Sequence, residues 1–444
     1  MYLYNSLTNQ KEEVKPIKEN EISMYLCGPT VYNYPHVGNT RNMIVFDVLR
    51  RSLEFQGYNV RQMVNFTDVD DKIINRAKEE GVSESEVSEK YIKAYNQIRA
   101  NLNVLMPTYT PRVTETMDEI IDFIDRLVKV GSAYEVDGDV YFDVESDKHY
   151  GELSKNTIED LKVGARVDEN DKKKSPLDFA LWKKMEEGLR WDSPWGEGRP
   201  GWHTECVVMI NKQFDNGLID IHMGGTDLKF PHHENEIAQS RALNDNTIAN
   251  YWIHNAMLNV NGAKMSKSLA NGLLANEMID MHGGNAIRWM MLNTHYRLAL
   301  NFSDEVLDTA KKELEKIKMP IKQLEIKAQL ANVDYVGKYD EVAMKPFIDA
   351  LNDDLNISNA ITVVYEVVKE LNQLIRTREI NFELAKDKEA TLVKMLEILG
   401  IFFPEIKLTE EDKETFNKWN AAKAEKNFEE ADKYRAILVE RGLA

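Results

Sequence analysis

Residues 22–66 read ISMYLCGPTVYNYPHVGNTRNMIVFDVLRRSLEFQGYNVRQMVNF, and this stretch determines the fold that the sequence predicts. Residues 22–27 have the composition of a short strand and end at Gly28-Pro29, a pair that breaks regular structure. Apolar residues then recur at helical spacing from about His36 to Glu54, and residues 60–66 indicate a second strand. A strand, a helix and a strand in this order form a βαβ unit. We therefore expect a parallel sheet with ligands at the carboxyl ends of its strands.

The rest of the chain predicts an α/β protein with a helical rear part. Strand patterns return at residues 219–222 and near 253–260, whereas residues 115–190 mix helical stretches, short strands and the charge-rich run 168–174. Beyond Ser303 the pattern is helical almost throughout. The expected segments are a Rossmann-like parallel-sheet catalytic domain (1–115 and 191–262), an inserted connective module (116–190), a connecting segment (263–302), a helical bundle (303–404) and a small C-terminal domain (405–444).

The composition excludes several classes of protein. The chain has 444 residues, a net charge of −18 and two cysteines. Two cysteines cannot form a disulfide framework, and the negative charge argues against a protein that coats nucleic acid, although a local basic track would still bind RNA. No run approaches the ~20 apolar residues that span a membrane. Because the amino terminus also lacks a secretory signal, we expect a cytoplasmic protein without membrane contacts.

Two short motifs point to a phosphate site. His36-Val37-Gly38-Asn39 follows the first strand at the start of the first helix, where backbone N–H groups and the helix dipole favour an anion. Gly38 would allow close approach of a nucleotide, while His36 and Asn39 would share one helical face and donate hydrogen bonds. Residues 264–268, KMSKS, would place Lys264 and Lys267 on a loop beside a triphosphate. An ordinary helix start and a solvated loop are the alternatives.

Four further residues suit a metal ion. His232 and Glu236 are four positions apart, and so would lie on one face of a helix. Cys27 ends the first strand, and Cys206 lies within GWHTEC at 201–206. Two thiolates, an imidazole and a carboxylate form a tetrahedral set that suits zinc. Spacing alone does not select these four residues, because a polar helix start with two buried thiols would give the same pattern.

The HVGN and KMSKS motifs resemble the two signatures of class I aminoacyl-tRNA synthetases, in which Asn39 is usually histidine. The sequence as a whole resembles cysteinyl-tRNA synthetases, and the segments that carry the resemblance are 26–32 (LCGPTVY), 65–74 (NFTDVDDKII), 191–206 and 230–240. The resemblance implies one zinc ion held by Cys27, Cys206, His232 and Glu236. It also implies a cysteine pocket formed by Thr30, Thr67, Trp202 and Asp227, with His222 nearby.

The resemblance further implies the reaction. ATP with Mg²⁺ would bind at His36, Gly38, Asn39 and Lys267, with Lys264 in support, and L-cysteine would become cysteinyl-adenylate before transfer to the 3′ end of tRNA(Cys). Residues 263–302 would contact the tRNA stem and residues 303–404 the anticodon arm. Compared with the family, the resemblance implies a small C-terminal domain at 405–444 that stops short of the basic tail of many relatives. We expect a monomer.

Zinc would explain how cysteine is distinguished from serine. The two differ by one atom, and an apolar pocket rejects such an isostere by no more than about 10²-fold. A thiol, with a pKa of about 8.5, ionises far more easily than a hydroxyl, and sulfur is the softer ligand. Two other functions remain open at this point. One is a related ligase that transfers cysteine to an amino-sugar, and the other is a non-catalytic RNA-binding relative.

Overall fold

A computed structural model of the chain describes residues 1–159, 172–260, 263–264 and 273–443. The chain divides into two compact units. The first unit comprises Met1–Leu307 and Asp349–Ser358, and the second comprises Asp308–Ile348 and Asn359–Ala444. Within the described ranges, none of the helices combines the length and the apolar character that crossing a membrane requires.

The first unit contains every described strand. The strands are β1 Tyr2–Asn5, β2 Gln10–Glu13, β3 Glu21–Leu26, β4 Asn59–Val64, β5 Ala133–Val136, β6 Asp139–Phe142, β7 Phe179–Lys184, β8 Gly198–Pro200, β9 Ile219–Gly225, β10 Ala249–Asn255, β11 Leu258–Val260, β12 Ala263–Lys264 and β13 Leu300–Phe302. The helices up to β13 are α1 Asn39–Phe55, α2 Asp71–Glu80, α3 Glu84–Asn101, α4 Met117–Lys129, α5 Trp202–Gln213, α6 Glu234–Asn244, α7 Ala275–His282 and α8 Gly284–Leu292.

A four-stranded parallel sheet forms the centre of this unit. Its strand order is β10-β9-β3-β4, and α1 is the crossover between β3 and β4. Five of the six residues of β3 and all seven of β9 are buried, because helices cover both faces of the sheet. The predicted parallel α/β sheet is therefore confirmed, and the carboxyl ends of β3 and β9 lie side by side.

The first helix begins later than the sequence pattern indicates. It starts at Asn39 rather than near His36, with Gly38 as its N-cap. The preceding residues are held by another part of the chain: His36 forms a bridge with Leu274, and the N–H of Val37 donates to the carbonyl of Leu273 at 2.8 Å. The bridge to Leu274 holds His36 in a strand-like pairing, so the regular helix begins only after it.

The segment predicted as an insertion has its own sheet. Strands β5, β6, β7 and β8 pair antiparallel in chain order, and α4 packs beside them. The rings of Phe142 and Phe179 stack at 5.0 Å between centroids, joining β6 to β7. Most of the charge-rich run 168–174 lies outside the described residues.

The strand pattern near 253–260 belongs to two sheets rather than one. Strand β10 ends at Asn255 and lies in the parallel sheet, whereas β11 begins at Leu258 and pairs with β12 and β13. The chain changes direction between them because the N–H of Ala256 donates to the carbonyl of Tyr296 at 2.8 Å instead of continuing the ladder.

The second unit is helical in its described residues. The helices that lie wholly or mostly in it are α9 Asp304–Leu330, α10 Glu341–Asn352, α11 Ile357–Ile375, α12 Phe382–Ile398, α13 Glu410–Ala424 and α14 Phe428–Glu440. Residues 349–358, which include the end of α10 and the start of α11, belong to the first unit. The finer division into five segments stays a prediction.

Candidate metal centre and nucleotide cleft

The four predicted metal ligands come from three neighbouring elements. Cys27 directly follows β3, and Cys206 lies on the buried face of α5. His232 is in the turn before α6, and Glu236 is in its first turn. The ligand atoms of all four side chains lie within 4.8 Å of one another, and all but Cys27 are buried.

Three of the separations between these atoms match the edges of a zinc tetrahedron. With metal–sulfur bonds of about 2.3 Å and metal–nitrogen or metal–oxygen bonds of about 2.1 Å, two sulfurs lie about 3.8 Å apart and a sulfur lies about 3.6 Å from nitrogen or oxygen. The Sγ atoms of Cys27 and Cys206 are 3.9 Å apart. Cys206 Sγ is 3.6 Å from His232 Nε2, and Cys27 Sγ is 3.6 Å from Glu236 Oε1. His232 Nε2 and Glu236 Oε1, at 2.9 Å, are closer than a tetrahedral edge.

A second, overlapping set of side chains is also close enough to hold an ion. His222 and His233 join Cys27 and Glu236 within the same 4.8 Å limit. Cys27 Sγ is 3.4 Å from His233 Nε2, and Glu236 Oε2 is 2.8 Å from His222 Nε2. The two sets share Cys27 and Glu236, so distance alone does not decide between them.

The charge of Glu236 is stabilised by two neighbouring imidazoles. Burial alone would raise the pKa of this carboxyl group, but the imidazoles of His222 and His232 outweigh burial and hold its pKa well below the usual range. Burial would likewise lower the pKa of His232, which Glu236 and Cys206 instead raise to about 10. A carboxylate ionised in a buried place is suited to bind a cation.

His203 is a site residue that the sequence analysis missed. Its Nδ1 lies 2.9 Å from Nδ1 of His232, on the side of the ring opposite to Cys206 and Glu236. The side chain of Gln239 donates to the backbone carbonyl of His203 at 2.9 Å and so fixes the local chain. His203 stands within the GWHTEC segment, but spacing does not reveal which neighbour orients a ligand.

The predicted cysteine-pocket residues Thr30 and Thr67 are neighbours. They form a parallel bridge, in which the N–H of Val31 donates to the carbonyl of Thr67 at 3.1 Å. The Thr67 hydroxyl donates to Glu205 Oε2 at 2.7 Å, and both side chains are buried. Glu205, a second residue that sequence reasoning missed, therefore fixes the rotamer of Thr67.

The other three predicted pocket residues have different surroundings. Trp202 is 41% exposed, and its ring stacks on His232 at 4.1 Å between centroids. Asp227 follows β9. A Cβ atom added to Gly225 would lie 2.3 Å from Asp227 Oδ1, so the carboxylate packs closely against that glycine. His222 is fully buried and stacks on Trp252 at 4.3 Å, so it faces Glu236 rather than the open cleft.

One cavity of about 400 Å³ connects the two predicted sites. It runs from Cys27, at the end of β3, to the start of α1. The predicted site residues that line it are Cys27, Thr30, His36, Gly38, Asn39, Trp202 and Asp227. An amino acid bound near Cys27 and a nucleotide bound near His36 would therefore meet in one cleft.

His36 and Asn39 are close together, but not on one helical face as predicted, because the helix begins at Asn39. Instead, the backbone N–H of His36 donates to Asn39 Oδ1 at 3.1 Å. A Cβ atom at Gly38 would lie 3.0 Å from Nδ1 of His36, so glycine leaves room for that imidazole. Lys264 ends the short strand β12, and Lys267 lies outside the described residues.

Comparison with known proteins identifies the family. The model of the family described as "tRNA synthetases class I (C) catalytic domain" matches residues 13–312, and that of the "DALR domain" matches residues 346–403. A curated "Cysteine--tRNA ligase" of Oceanobacillus iheyensis is 44% identical, with 99% of this chain and 96% of the relative covered. The protein of the same name from Clostridioides difficile is 45% identical, with 100% and 97% covered. The chain belongs to the cysteine–tRNA ligase family.

Solved structures of other class I synthetases share the fold of this cysteine–tRNA ligase family member. The methionyl-tRNA synthetase of Mycobacterium tuberculosis, in complex with methionyl-adenylate, superimposes with a TM-score of 0.60 at 14% identity, covering 85% of this chain and 89% of the other. LeuRS of Agrobacterium radiobacter K84, in a ternary complex with tRNA and LeuAMS, gives 0.60 at 11% identity, covering 87% and 84%. The resemblance and the fold class that the motifs predicted are confirmed.

Proposed function

We propose that the chain is a cysteine–tRNA ligase that activates L-cysteine with ATP and transfers it to the 3′ end of tRNA(Cys). The observation that carries the proposal is the convergence of Cys27, Cys206, His232 and Glu236 at one end of the cleft that His36 and Asn39 line. A site for a sulfur-bearing amino acid and a site for a nucleotide would then be adjacent.

Zinc is the ion that this donor set fits best. Two thiolates are soft ligands, and three of the contacts described above have the length of a tetrahedral edge in a zinc–sulfur site. A bound zinc ion would accept the sulfur of cysteine as a further ligand and would bind the oxygen of serine far less well. The set with His222 and His233 offers only one sulfur, which favours the first set.

The residues around the cleft have separate tasks in this proposal. Thr30, Thr67 and Trp202 form the walls of the amino-acid pocket, and Asp227 binds the ammonium group of the substrate. The Thr67 hydroxyl is directed at Glu205, and the buried Thr67 supports the wall from behind Thr30. His222 supports Glu236 from behind.

In the activation step, the carboxylate of cysteine attacks the α-phosphate of ATP bound with Mg²⁺, and pyrophosphate leaves. No protein nucleophile is needed, since positioning and charge stabilisation dominate such transfers. His36 and Asn39 bind the phosphates, Gly38 allows their approach, and Lys267 with Lys264 stabilises the departing charge. The 2′-hydroxyl of the terminal adenosine of tRNA then attacks the carbonyl carbon of cysteinyl-adenylate, the anhydride bond breaks, and AMP leaves.

The acceptor is proposed to be tRNA rather than an amino-sugar. The chain is about 45% identical to cysteine–tRNA ligases over almost its whole length, and it includes the DALR match at 346–403. A small acceptor would not require the helical second unit. Incubating the enzyme with labelled cysteine, ATP and either tRNA or an amino-sugar separates these possibilities.

Cysteine-dependent ATP–pyrophosphate exchange, measured together with zinc content, tests the proposed function. We expect about one zinc ion per chain and an exchange that cysteine supports and serine does not. Cys206→Ser and His233→Ala are matched variants, because each removes a ligand that belongs to only one of the two sets. Loss of zinc in Cys206→Ser alone supports the first set, whereas loss in His233→Ala alone supports the second. Absence of exchange in the wild-type protein would refute the proposed activity.

A further inference from the structure

Arg41, in the first turn of α1, holds four backbone carbonyl groups. Its side chain is 1% exposed. Nη1 donates to the carbonyls of Ala256 at 3.0 Å and Leu298 at 2.8 Å. Nη2 donates to those of Thr294 at 3.3 Å and His295 at 3.0 Å. One side chain thus fixes the first turn of α1 to two separate stretches of chain.

The burial of the Arg41 guanidinium is energetically unfavourable. In the described parts of the chain, Arg41 forms no ion pair with a carboxylate, and its buried Nε has no hydrogen-bond partner. Burial lowers the pKa of Arg41 to about 10. A buried charge that is paired with neutral dipoles alone costs more than an apolar side chain would. Such a cost is expected where geometry matters to function.

Two of the four carbonyls lie next to the three-stranded sheet formed by β12, β11 and β13. Ala256 connects β10 to β11, and Leu298 is two residues before β13. Strand β11 pairs with β13 and with β12, the strand that ends at Lys264. Arg41 therefore connects the helix start that follows His36 with the sheet from which the KMSKS motif begins.

The chain beyond this motif is also held at the start of α1. The N–H of Val37 donates to the carbonyl of Leu273 at 2.8 Å, and the N–H of Ala275 donates to the carbonyl of Pro35 at 2.9 Å. The segments before and after residues 264–268 are thus both attached to the HVGN region. These backbone contacts hold the segment that follows the motif, and Arg41 holds the sheet that precedes it.

Asp354 holds the loop 294–298 from its other side. Its Oδ1 accepts hydrogen bonds from the N–H of Tyr4 at 2.8 Å and from the hydroxyl of Tyr296 at 2.5 Å. Its Oδ2 accepts from Nε of Arg297 at 2.8 Å, and its backbone carbonyl lies 3.1 Å from Nε2 of His295. The side chain of Asp354 is buried, so the loop is fixed between two buried charged groups.

We propose that Arg41 is a positioning residue of the ATP site, which sets the separation between the HVGN motif and the sheet that carries Lys264, and that Asp354 supports it through the loop 294–298. This inference rests on the proposed function, because it assumes that ATP binds between the two motifs. Arg41 does not contact the substrate and acts through the segments that it holds.

The two sides of the cleft give this role a specific signature. The amino-acid side is built from Cys27, Thr67 and the helices α5 and α6, none of which Arg41 holds. The loss of Arg41 should therefore impair ATP binding and leave cysteine and zinc binding unchanged. A merely structural role would lower thermal stability without separating the two substrates. Misplacement of reacting groups by about 1 Å can cost 10²-fold in rate.

Arg41→Met removes all donors at similar side-chain length, and Arg41→Lys restores one charged donor. Arg50→Met is the matched control: Arg50 lies on the same helix and donates to Glu54, Gln62 and the carbonyl of Met106. Zinc content, the KM values for ATP and cysteine in pyrophosphate exchange, and the Kd of ATP by calorimetry are measured for each protein.

We expect Arg41→Met to lower kcat/KM for ATP by about tenfold to hundredfold, with KM for cysteine and zinc content within about twofold of wild type. Arg41→Lys should recover part of the loss, and Arg50→Met should change neither substrate's KM by more than about twofold. In a double-mutant cycle, Asp354→Asn should lower kcat/KM for ATP less in the Arg41→Lys protein than in the wild-type protein, since both residues act on one loop.

Equal increases in both KM values, or unchanged ATP kinetics in a folded Arg41→Met protein, would overturn the inference. Fully additive effects of Arg41→Lys and Asp354→Asn would overturn the part assigned to Asp354. If wild-type exchange is absent, the proposed function fails, and the Kd of ATP for wild type and Arg41→Lys still tests the role of Arg41 independently.

Discussion

Replacing His203 with alanine is expected to weaken zinc binding although His203 is not a ligand. If Nε2 of His232 binds the ion, the proton of that imidazole is on Nδ1, which is 2.9 Å from Nδ1 of His203. His203 then accepts this hydrogen bond and fixes both the ring orientation and the tautomer of the ligand. Without it, His232 can rotate or carry its proton on the wrong nitrogen.

The size of the effect follows from this contact. A hydrogen bond contributes about 0.5–1.5 kcal/mol net, and a buried donor left without a partner costs about 1–3 kcal/mol. Since a tenfold change in affinity corresponds to about 1.4 kcal/mol, zinc should bind about 10- to 100-fold more weakly, which agrees with the usual effect of removing such partners. The stacking of Trp202 on the same imidazole limits how far the ring can turn.

The assay is competition for zinc with a chromophoric chelator at neutral pH. His203→Asn should recover part of the affinity, because asparagine can place an acceptor near the position of Nδ1. His149→Ala is the control, since His149 is exposed and belongs to neither set of candidate ligands. Zinc affinity of His203→Ala equal to that of wild type would show that the ligand is oriented by other means.

Three further predictions concern the nucleotide site and the second unit. Lys267→Ala should lower cysteine-dependent exchange by about 100-fold or more while the Kd of cysteine stays within about twofold; undiminished exchange would contradict the role. Gly38→Ala, whose Cβ would lie 3.0 Å from Nδ1 of His36, should raise KM for ATP without loss of zinc, and an unchanged KM would count against it. Burial raises the pKa of Glu389 from 4.5 to about 7. Because the folded protein holds this proton more tightly, stability should fall as pH rises through that interval. Glu389→Gln should therefore unfold at a higher temperature than wild type at pH 8 but not near pH 4.5; a difference that is the same at both values would refute this.

The fold was predictable where local pattern and tertiary packing agree. The strand at 22–27 and the strand after Gly57 are both apolar and bounded by turn residues, so the sequence predicts the βαβ unit. The sequence does not predict the correct start of α1, because His36 and Val37 have helical spacing but pair with residues more than 230 positions later. The change of sheet between Asn255 and Leu258 was hidden for the same reason, since periodicity carries no information on distant partners.

The site was predictable as a set of chemical types rather than as a geometry. The ligands were assigned by family resemblance, and their separations are consistent with one ion. The sequence does not reveal the roles of His203, Glu205 and Arg41, because these roles depend on atoms that only the fold brings together. A histidine beside another histidine in space has no signature in sequence spacing.

The central claim is that two cysteines of the protein and the sulfur of the substrate meet at one metal ion. Zinc K-edge X-ray absorption of the protein, recorded without and with L-cysteine, counts the sulfur atoms bound to the metal. We expect two sulfur ligands without the amino acid and three with it, and no change on adding serine. A count of one sulfur in the free protein, or a count that cysteine leaves unchanged, would contradict the account.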